Sequence, residues 1–396
     1  MKADQSTNLM KNKTNIILDL CVLVAGFILF GSIFVLKINS DLQSHIEHLQ
    51  FVIQGEVSPL VNSNFLFYLT VYTLAFFQNN KDLLSLASSI TLALALAAKF
   101  HLTHQFLDQQ QSPNEKKISN LWLILGSLAM LLVFSLPTPN FLITTRYYIG
   151  QIPPNIWHNS TTILLMPFAI MLFLQSFNQF SNPTTRGIVI LTILIALNLA
   201  AKPSFFFVFC LVYPLMLLIQ FKLSKQFWRN MIPVFIGLAL LALQYYVMYQ
   251  VGYRIGFSSK RDVMIAFLAV WTRYTPNIPL SLLASLVFPI TYLVGYPKDV
   301  LQNRLVQYSG LCFLASLAIF CTLAETEPYT GHGNFLWQAV VCSYLLFMVL
   351  LAQFLAKLQQ SGLGNWKNRI ILAAFSLHVI SGILYLIKFF VMKDFP

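Results

Sequence analysis

Charged residues are scarce in this sequence. Only 10% of its 396 residues are Asp, Glu, Lys or Arg, whereas a soluble globular protein carries about 25%. Hydrophobic residues make up 57% of the chain, and the mean hydropathy is +0.69. So few charges cannot cover a surface that faces water, so the composition excludes a soluble globular protein and predicts an integral membrane protein, with membrane lipid as its first partner.

The sequence also lacks the short motifs of common soluble enzymes and ATP-driven pumps. It contains no Walker A loop, no GxGxxG, no HExxH and no GxSxG. Its five cysteines fall inside apolar runs without CxxC spacing, which argues against a zinc site or a disulfide framework. The net charge of +12 comes from basic residues in ones to threes between apolar runs, so we do not expect a nucleic-acid partner.

Long apolar runs predict an all-α polytopic membrane protein of about eleven transmembrane helices (10–13), in one domain covering 1–396. The run at 64–78 is better explained as a helix lying on the membrane, within a juxtamembrane segment at 37–82 that also contains an amphipathic helix. The predicted spans are 16–36, 83–100, 121–137, 160–177, 188–201, 204–220, 231–250, 279–296, 307–324, 335–357 and 370–390.

The distribution of Lys and Arg predicts the orientation of these spans. A cytoplasmic N-terminus, with 64–78 outside, places 15 of the 25 basic residues on the cytoplasmic side. The first run is long enough to span and has no A-x-A cleavage site after it, so we expect an uncleaved helix. The chain is therefore predicted to be a multi-pass protein of the cell membrane with an external C-terminus. Its polar external segments are 37–63, 138–159, 251–278 and 325–334.

The first external segment contains three ionisable residues at helical spacing. Asp41, His45 and His48 lie at i, i+4 and i+7, beside an apolar stripe that begins with Leu42 and Ile46. A carboxylate at the edge of a membrane cavity can accept a proton from a sugar hydroxyl. The same residues could share a divalent cation, or form an ordinary solvated face of an interfacial helix.

Later segments supply cations, aromatic residues and further polar groups. A cation at the membrane surface fits a lipid phosphate or a pyrophosphate. Each of these segments also has a simpler interpretation: an interfacial belt loop, a snorkelling lysine, an anchor to anionic lipid, or a polar connector between spans. We expect Lys202, in the Lys-Pro hairpin between two spans, to reach the outer rim. The remaining substrate-binding candidates are His48, Arg146, His158, Asn159, Arg254, Arg261, Arg273, Glu325 and His332.

An acidic residue just after the first span, on an external amphipathic helix and followed by many spans, resembles the GT-C class of membrane glycosyltransferases. The Ser-Asp-x3-His element at Ser40, Asp41 and His45 looks like the acidic element of that class, although many members carry two neighbouring acids there. The stretches LAAKPSFFF and GQIPPNIWHNST are similar to segments of bacterial GT-C-like proteins from surface-polysaccharide loci. The resemblance implies transfer of a hexose or related sugar, with inversion, from a polyprenyl-phosphate donor.

These features together predict a membrane glycosyltransferase that works at the external face, with Asp41 and His45 as catalytic residues. No cofactor is required by the pattern, apart from the possible divalent cation. A transporter or flippase of a lipid-linked substrate is the alternative, and a polysaccharide polymerase is a third interpretation. A transporter would place ionisable residues deep inside its spans, and the predicted spans contain almost none.

Overall fold

The computed structural model describes residues 2–57, 64–111, 120–138, 150–251, 262–327 and 329–394. Nearly all regular structure in these ranges is helical, which confirms the predicted all-α membrane architecture. The helices are α1 Lys2–Val35, α2 Asp41–Ile53, α3 Phe65–Leu74, α4 Lys81–Gln109, α5 Asn120–Met130, α6 Ser160–Ser181, α7 Thr185–Ala201, α8 Ser204–Phe221, α9 Lys225–Tyr245, α10 Ala269–Tyr274, α11 Ile278–Gly295, α12 Pro297–Gln302, α13 Arg304–Thr322, α14 Trp337–Ser361 and α15 Trp366–Met392.

Nine helices in the described ranges are long and apolar enough to cross a membrane. The predicted spans at 121–137 and 188–201 correspond to the shorter helices α5 and α7. Helix α3 has ten residues and is therefore about 15 Å long, half of the roughly 30 Å of hydrocarbon that a span must cross. The run at 64–78 therefore does not span, as predicted.

Helix α2 forms as its sequence pattern predicts. Leu42, Ile46 and Leu49 of the apolar stripe are buried, and the helix packs against α4 and α6. Burial of this stripe turns the neighbouring polar face, with Asp41 and His45, toward the start of α6. The amphipathic pattern thus determines which side chains α2 presents to the bundle.

The predicted helix at 121–137 is wrong in its second half. Helix α5 ends at Met130, and the chain continues without helix to residue 138. Backbone groups of this stretch bond to other helices: Phe134 N–H donates to the His378 carbonyl, and Leu136 N–H to the Ala284 carbonyl. Non-helical backbone at membrane depth is tolerated where protein groups satisfy it in this way.

A glycine on α15 permits the close approach of this irregular stretch. A Cβ atom added at Gly382 would lie 1.6 Å from the carbonyl oxygen of Leu132. Only a residue without a side chain leaves room for the backbone there. The sequence signal that ends α5 early is thus a glycine that is distant in sequence.

The described part of the predicted external segment 138–159 is buried in the protein before α6 and is not a solvated loop. All ten residues of 151–160 are buried, whereas 139–149 lie outside the described residues. Asn155 holds the loop down, because its Nδ2 donates to the carbonyls of Met130 and Val133 where α5 ends. Trp157 packs against the rings of Phe134 and Tyr385, which also stack on each other.

Helix α4 is longer than the predicted span at 83–100, so Lys99 lies within the helix and not at its cytoplasmic end. Its side chain is buried, donates a hydrogen bond to Asn155 Oδ1 and places Nζ 3.8 Å from the centroid of the Tyr344 ring. This corrects the sequence-based expectation that the spans contain almost no ionisable residue at depth.

The described part of the predicted external segment 251–278 contains a strand and a helix. Strand β1 (Val263–Ile265) pairs antiparallel with β2 (Leu323–Glu325), with Val263 opposite Glu325. Branched side chains at Val263 and Ile265 favour this extended conformation. Leu268 has a left-handed backbone (φ 57°), so α10 starts as a separate element at Ala269.

The two ends of the bundle are distinguished by their contacts. We call one end the Asp41 face: there α1 ends, α6 and α14 begin, and α7 turns into α8. At the other end, the opposite face, Asp299 between α11 and α13 pairs with Lys357 of α14 at 3.2 Å.

Candidate functional site

Asn159 joins an acid and a base at the Asp41 face. Its Nδ2 donates to Asp41 Oδ2 at 2.7 Å, and its Oδ1 accepts from Lys202 Nζ at 3.1 Å. Asn159 is the N-cap of α6, where Oδ1 also accepts from the backbone N–H of Thr162 at 3.1 Å. The cap fixes the amide, and the amide in turn holds a carboxylate and an ammonium at its two ends.

Lys202 is buried, with 8% of its surface exposed, so it does not extend into the headgroup region as a snorkelling lysine would. The predicted Lys-Pro hairpin is present, since α7 ends at Ala201 and Pro203 precedes α8. Lys202 Nζ donates to Thr161 Oγ1 at 3.3 Å and Thr162 Oγ1 at 2.9 Å, and lies 4.4 Å from the centroid of the Trp337 ring. Removal from water lowers the pKa of Lys202 to about 7, although Asp41 favours the ammonium.

His45 lies one helical turn after Asp41 and makes contact with α3. Its Nδ1 is hydrogen-bonded to the hydroxyl of Tyr68 at 2.5 Å. Loss of solvent lowers the pKa of His45 to about 4; Asp41 opposes this shift, and Lys202 and His48 add to it. The imidazole is therefore neutral at pH 7 and can take part in hydrogen bonding but carries no charge.

His158 and His48 border the same group of residues. His158 Nδ1 lies 3.3 Å from the hydroxyl of Tyr385, and its ring centroid is 6.3 Å from that of Trp337. Burial lowers the pKa of His158 to about 4, against the influence of Asp41. The ring centroid of His48 lies 5.7 Å from that of Tyr68. Lys202 is thus the cation nearest to Asp41 in this group, because only the Asn159 amide lies between them.

A cavity of about 870 Å³, which we call the Lys202 cavity, begins beside this group. Helices α8 and α9 supply much of its wall, through apolar side chains such as Phe207 and Leu241, and α13 adds Ile319. Its rim includes Leu211 and Leu238, which are 55% and 42% exposed. In a membrane these side chains face lipid, so the cavity is open toward the acyl chains.

Glu325 and His332 line the Lys202 cavity, on the β2 side. Glu325 is buried, and its Oε2 accepts a hydrogen bond from Asn334 Nδ2 at 2.6 Å. The cavity therefore has one polar end with a cation and a carboxylate, and apolar walls. Asp41 is not among the described residues that line the cavity. It is connected to Lys202, which does line it, by hydrogen bonds through Asn159.

Of the predicted phosphate-binding arginines, Arg273 lies among the described residues, and it is not part of this site. Arg273 NH2 lies 3.2 Å from Glu327 Oε1 in an exposed ion pair, and Arg273 does not line the cavity. Arg146, Arg254 and Arg261 lie outside the described residues. The described part of the site thus relies on Lys202 for positive charge.

The possible divalent-cation site is not formed by the three residues of α2. Within the described ranges, no three His, Cys, Asp or Glu side chains come close enough together to hold a metal ion.

The sequence interpretation missed several residues that contact Lys202 or His45. Thr161 and Thr162 follow the N-cap and read as ordinary helix-start residues, yet both accept from Lys202. Tyr68 and Trp337 read as interfacial aromatics, yet they contact His45 and Lys202. The N-cap pattern Asn-Ser-Thr-Thr was the only local signal that this helix start is specialised.

Comparison of the chain with protein-family models and with curated proteins finds no match. The function is therefore argued from the site itself.

Proposed function

We propose that the chain is a membrane glycosyltransferase that moves a sugar from a polyprenyl-phosphate donor to a hydroxyl acceptor at the Asp41 face, which we take to be external. The observation that carries the proposal is the Lys202 cavity, which combines lipid-facing apolar walls with a buried cation at its polar end. An amphiphilic donor with an anionic phosphate needs this combination. The site also holds a carboxylate within one amide of that cation.

In the proposed reaction the polyprenyl chain lies along α8, α9 and α13, and the donor phosphate contacts Lys202. Asp41 accepts the proton of the acceptor hydroxyl while that oxygen forms a bond to the anomeric carbon of the sugar. The bond from this carbon to the phosphate oxygen breaks with inversion, and polyprenyl phosphate leaves with the bonding electrons. Lys202 offsets the charge that the phosphate gains. Neutral His45 orients the acceptor or Asp41 through hydrogen bonds.

The direct test is transfer by the purified chain in detergent. The donor is a short-chain polyprenyl phosphate carrying a radiolabelled hexose, and the acceptors are a panel of lipid-linked and free saccharides. A labelled product with inverted anomeric configuration, formed without a nucleotide sugar, would support the proposal. A chain that binds the donor but forms no product with any acceptor would contradict it. Product length separates single transfer from polymerisation.

The pH dependence of donor binding should follow Lys202. Its pKa of about 7 means that the ammonium predominates below pH 7 and is largely lost by pH 8. If the ammonium binds phosphate, the KM for the donor should rise about tenfold between pH 6 and pH 8, following the protonated fraction. Lys202→Arg should flatten this profile because a guanidinium stays charged, and Lys202→Met should give a high KM at every pH.

Lys81→Arg is the matched control for that experiment, because Lys81 is an exposed lysine at the same face, paired with Glu47. It should keep the wild-type profile. A wild-type KM that does not change between pH 6 and pH 8 would remove Lys202 from phosphate binding.

The effect of pH on the stability of the fold has the opposite sign. The pKa of Lys202 is about 7 in the folded chain and 10.5 in an exposed lysine, so the folded chain binds fewer protons than the unfolded chain between these values. Lys202 therefore makes the fold more stable as pH rises through that window.

Filling the Lys202 cavity should weaken donor binding. Ala242 of α9 lines the cavity, and Ala242→Trp places an indole where the polyprenyl chain would lie. We expect the KM for a long-chain donor to rise at least about tenfold, with a smaller effect on a donor truncated to a few carbons. Leu240→Trp, on the same helix but not lining the cavity, is the control. Equal KM values for both variants would argue against this binding mode.

A flippase for the same lipid-linked substrate is the second candidate, favoured by Lys99. An ionisable residue buried within a membrane helix commonly marks a transport pathway. The two functions differ in outcome: a flippase moves a fluorescent lipid-linked sugar across vesicles without forming a new glycosidic bond. Translocation without transfer would favour this alternative.

A further inference from the structure

A second cavity, of about 720 Å³, lies toward the opposite face of the bundle. We call it the Arg304 groove. Its walls come from α6, α8, α11 and α13, and nearly all of the lining side chains are apolar, including Phe177, Met216 and Leu293. The described polar groups along it are concentrated near its Arg304 end. Helices α8 and α13 also line the Lys202 cavity, at their other ends.

The groove has the length of a lipid chain. Along α13 it extends from Arg304 to Leu317, which at 1.5 Å per residue is about 20 Å. The hydrocarbon of one leaflet is about 15 Å thick, half of the bilayer core. A soluble metabolite would need polar groups along its length, and the groove offers them only at one end.

Local backbone features keep the groove open. Helix α11 has a non-helical residue at Leu286, shortly before Pro289, and both residues line the groove. A proline inside a helix removes a hydrogen bond and bends the chain. On the facing helix, Gly310 lines the groove, and a Cβ atom added there would meet no atom within 4 Å.

Arg304 gives the groove its charge complementarity. It is the exposed first residue of α13, and its NH1 donates to Gln220 Oε1 at 2.6 Å. No acidic side chain in the described ranges forms an ion pair with it. A guanidinium with a neutral partner, at the rim of an apolar groove, can donate two further hydrogen bonds to a phosphodiester.

We propose that the Arg304 groove binds one anionic phospholipid from the leaflet at the opposite face, with an acyl chain along α13 and the phosphodiester at Arg304. The site is independent of the sugar-transfer proposal. Because the lipid would bridge α6, α8, α11 and α13, it would stabilise the folded bundle by binding only that state.

The test is native mass spectrometry of the full chain in detergent, after delipidation and addition of palmitoyl-oleoyl phosphatidylglycerol or the phosphatidylcholine with the same chains. The wild type should bind one phosphatidylglycerol at this site about tenfold more tightly than phosphatidylcholine. Both lipids offer a phosphodiester to Arg304, but the choline ammonium of phosphatidylcholine adds a positive charge close to the guanidinium. Thermal unfolding should shift upward with phosphatidylglycerol. Lys202→Met is measured alongside, to account for lipid in the other cavity.

Arg304→Gln should abolish the preference for phosphatidylglycerol, whereas Lys222→Gln, an exposed cation at the end of α8, should keep it. Gly310→Leu fills the groove and should lower the binding of both lipids at least about tenfold. Gly31→Leu is its control, because Gly31 of α1 is half-buried with equally open surroundings. Unchanged binding in Gly310→Leu, or an unchanged preference in Arg304→Gln, would overturn the proposal.

Discussion

Replacing Asp41 by Asn is expected to reduce the turnover of sugar transfer roughly 100- to 10,000-fold, the range for loss of a general base. Asn has nearly the same shape and keeps an oxygen that can accept from Asn159 Nδ2, so the contact at the start of α6 remains. Only the ability to take a proton is removed. The loss should therefore appear in kcat, with a small change in the KM for the donor.

Steady-state transfer of the labelled sugar, together with thermal unfolding in detergent, measures both effects. Asp82→Asn is the matched control, since Asp82 is an exposed acid at the same face, at the start of α4. The control should keep wild-type turnover, and both variants should keep the wild-type unfolding temperature. Wild-type turnover in Asp41→Asn would exclude a catalytic role for this carboxylate while leaving donor binding at Lys202 untouched.

The largest effect on stability is expected from Asn155→Ala. This amide donates to the carbonyls of Met130 and Val133 and accepts from Lys99. Its loss leaves the Lys99 amino group and two carbonyls without these partners, all of them in buried residues. Since each buried unsatisfied group costs about 1–3 kcal/mol, we expect the three together to lower the free energy of unfolding by at least about 3 kcal/mol.

Lys99→Met should be milder than Asn155→Ala. The substitution removes a buried polar group, whose transfer out of water is costly, and leaves only the Asn155 oxygen without its donor. Unfolding temperatures in detergent should therefore rank wild type, Lys99→Met, then Asn155→Ala. Asn178→Ala, an exposed asparagine of α6, is the control and should match the wild type.

Transfer activity should decline with the stability of the loop 151–160, because this loop contains His158 and Asn159. Asn155→Ala should lose activity even at temperatures where it remains folded, through misplacement of the Asn159 amide. A greater loss of stability in Lys99→Met than in Asn155→Ala would show that the ammonium, and not the amide, holds the loop in place.

The membrane class of the protein and most of its helices follow from the sequence alone. Lipid accepts long apolar runs and rejects unpaired backbone groups, so such runs are helical except where other parts of the protein satisfy their backbone. The stripe of Leu42, Ile46 and Leu49 likewise fixes the buried side of α2 by local periodicity, and Lys202–Pro203 produces the hairpin by local backbone restriction. These are short-range effects that each segment carries in itself.

The tertiary structure decided what these local features build. Pro137 disfavours helix in the last turn of 121–137, but the contacts with Gly382 and His378 of α15 that accommodate the irregular backbone after Met130 come from a distant helix. Likewise Asp41, Asn159 and Lys202 form one chain of hydrogen bonds only because the starts of α2 and α6 and the α7–α8 hairpin lie at the same face. Such contacts depend on how distant helices pack, whereas hydropathy and periodicity describe only one segment at a time.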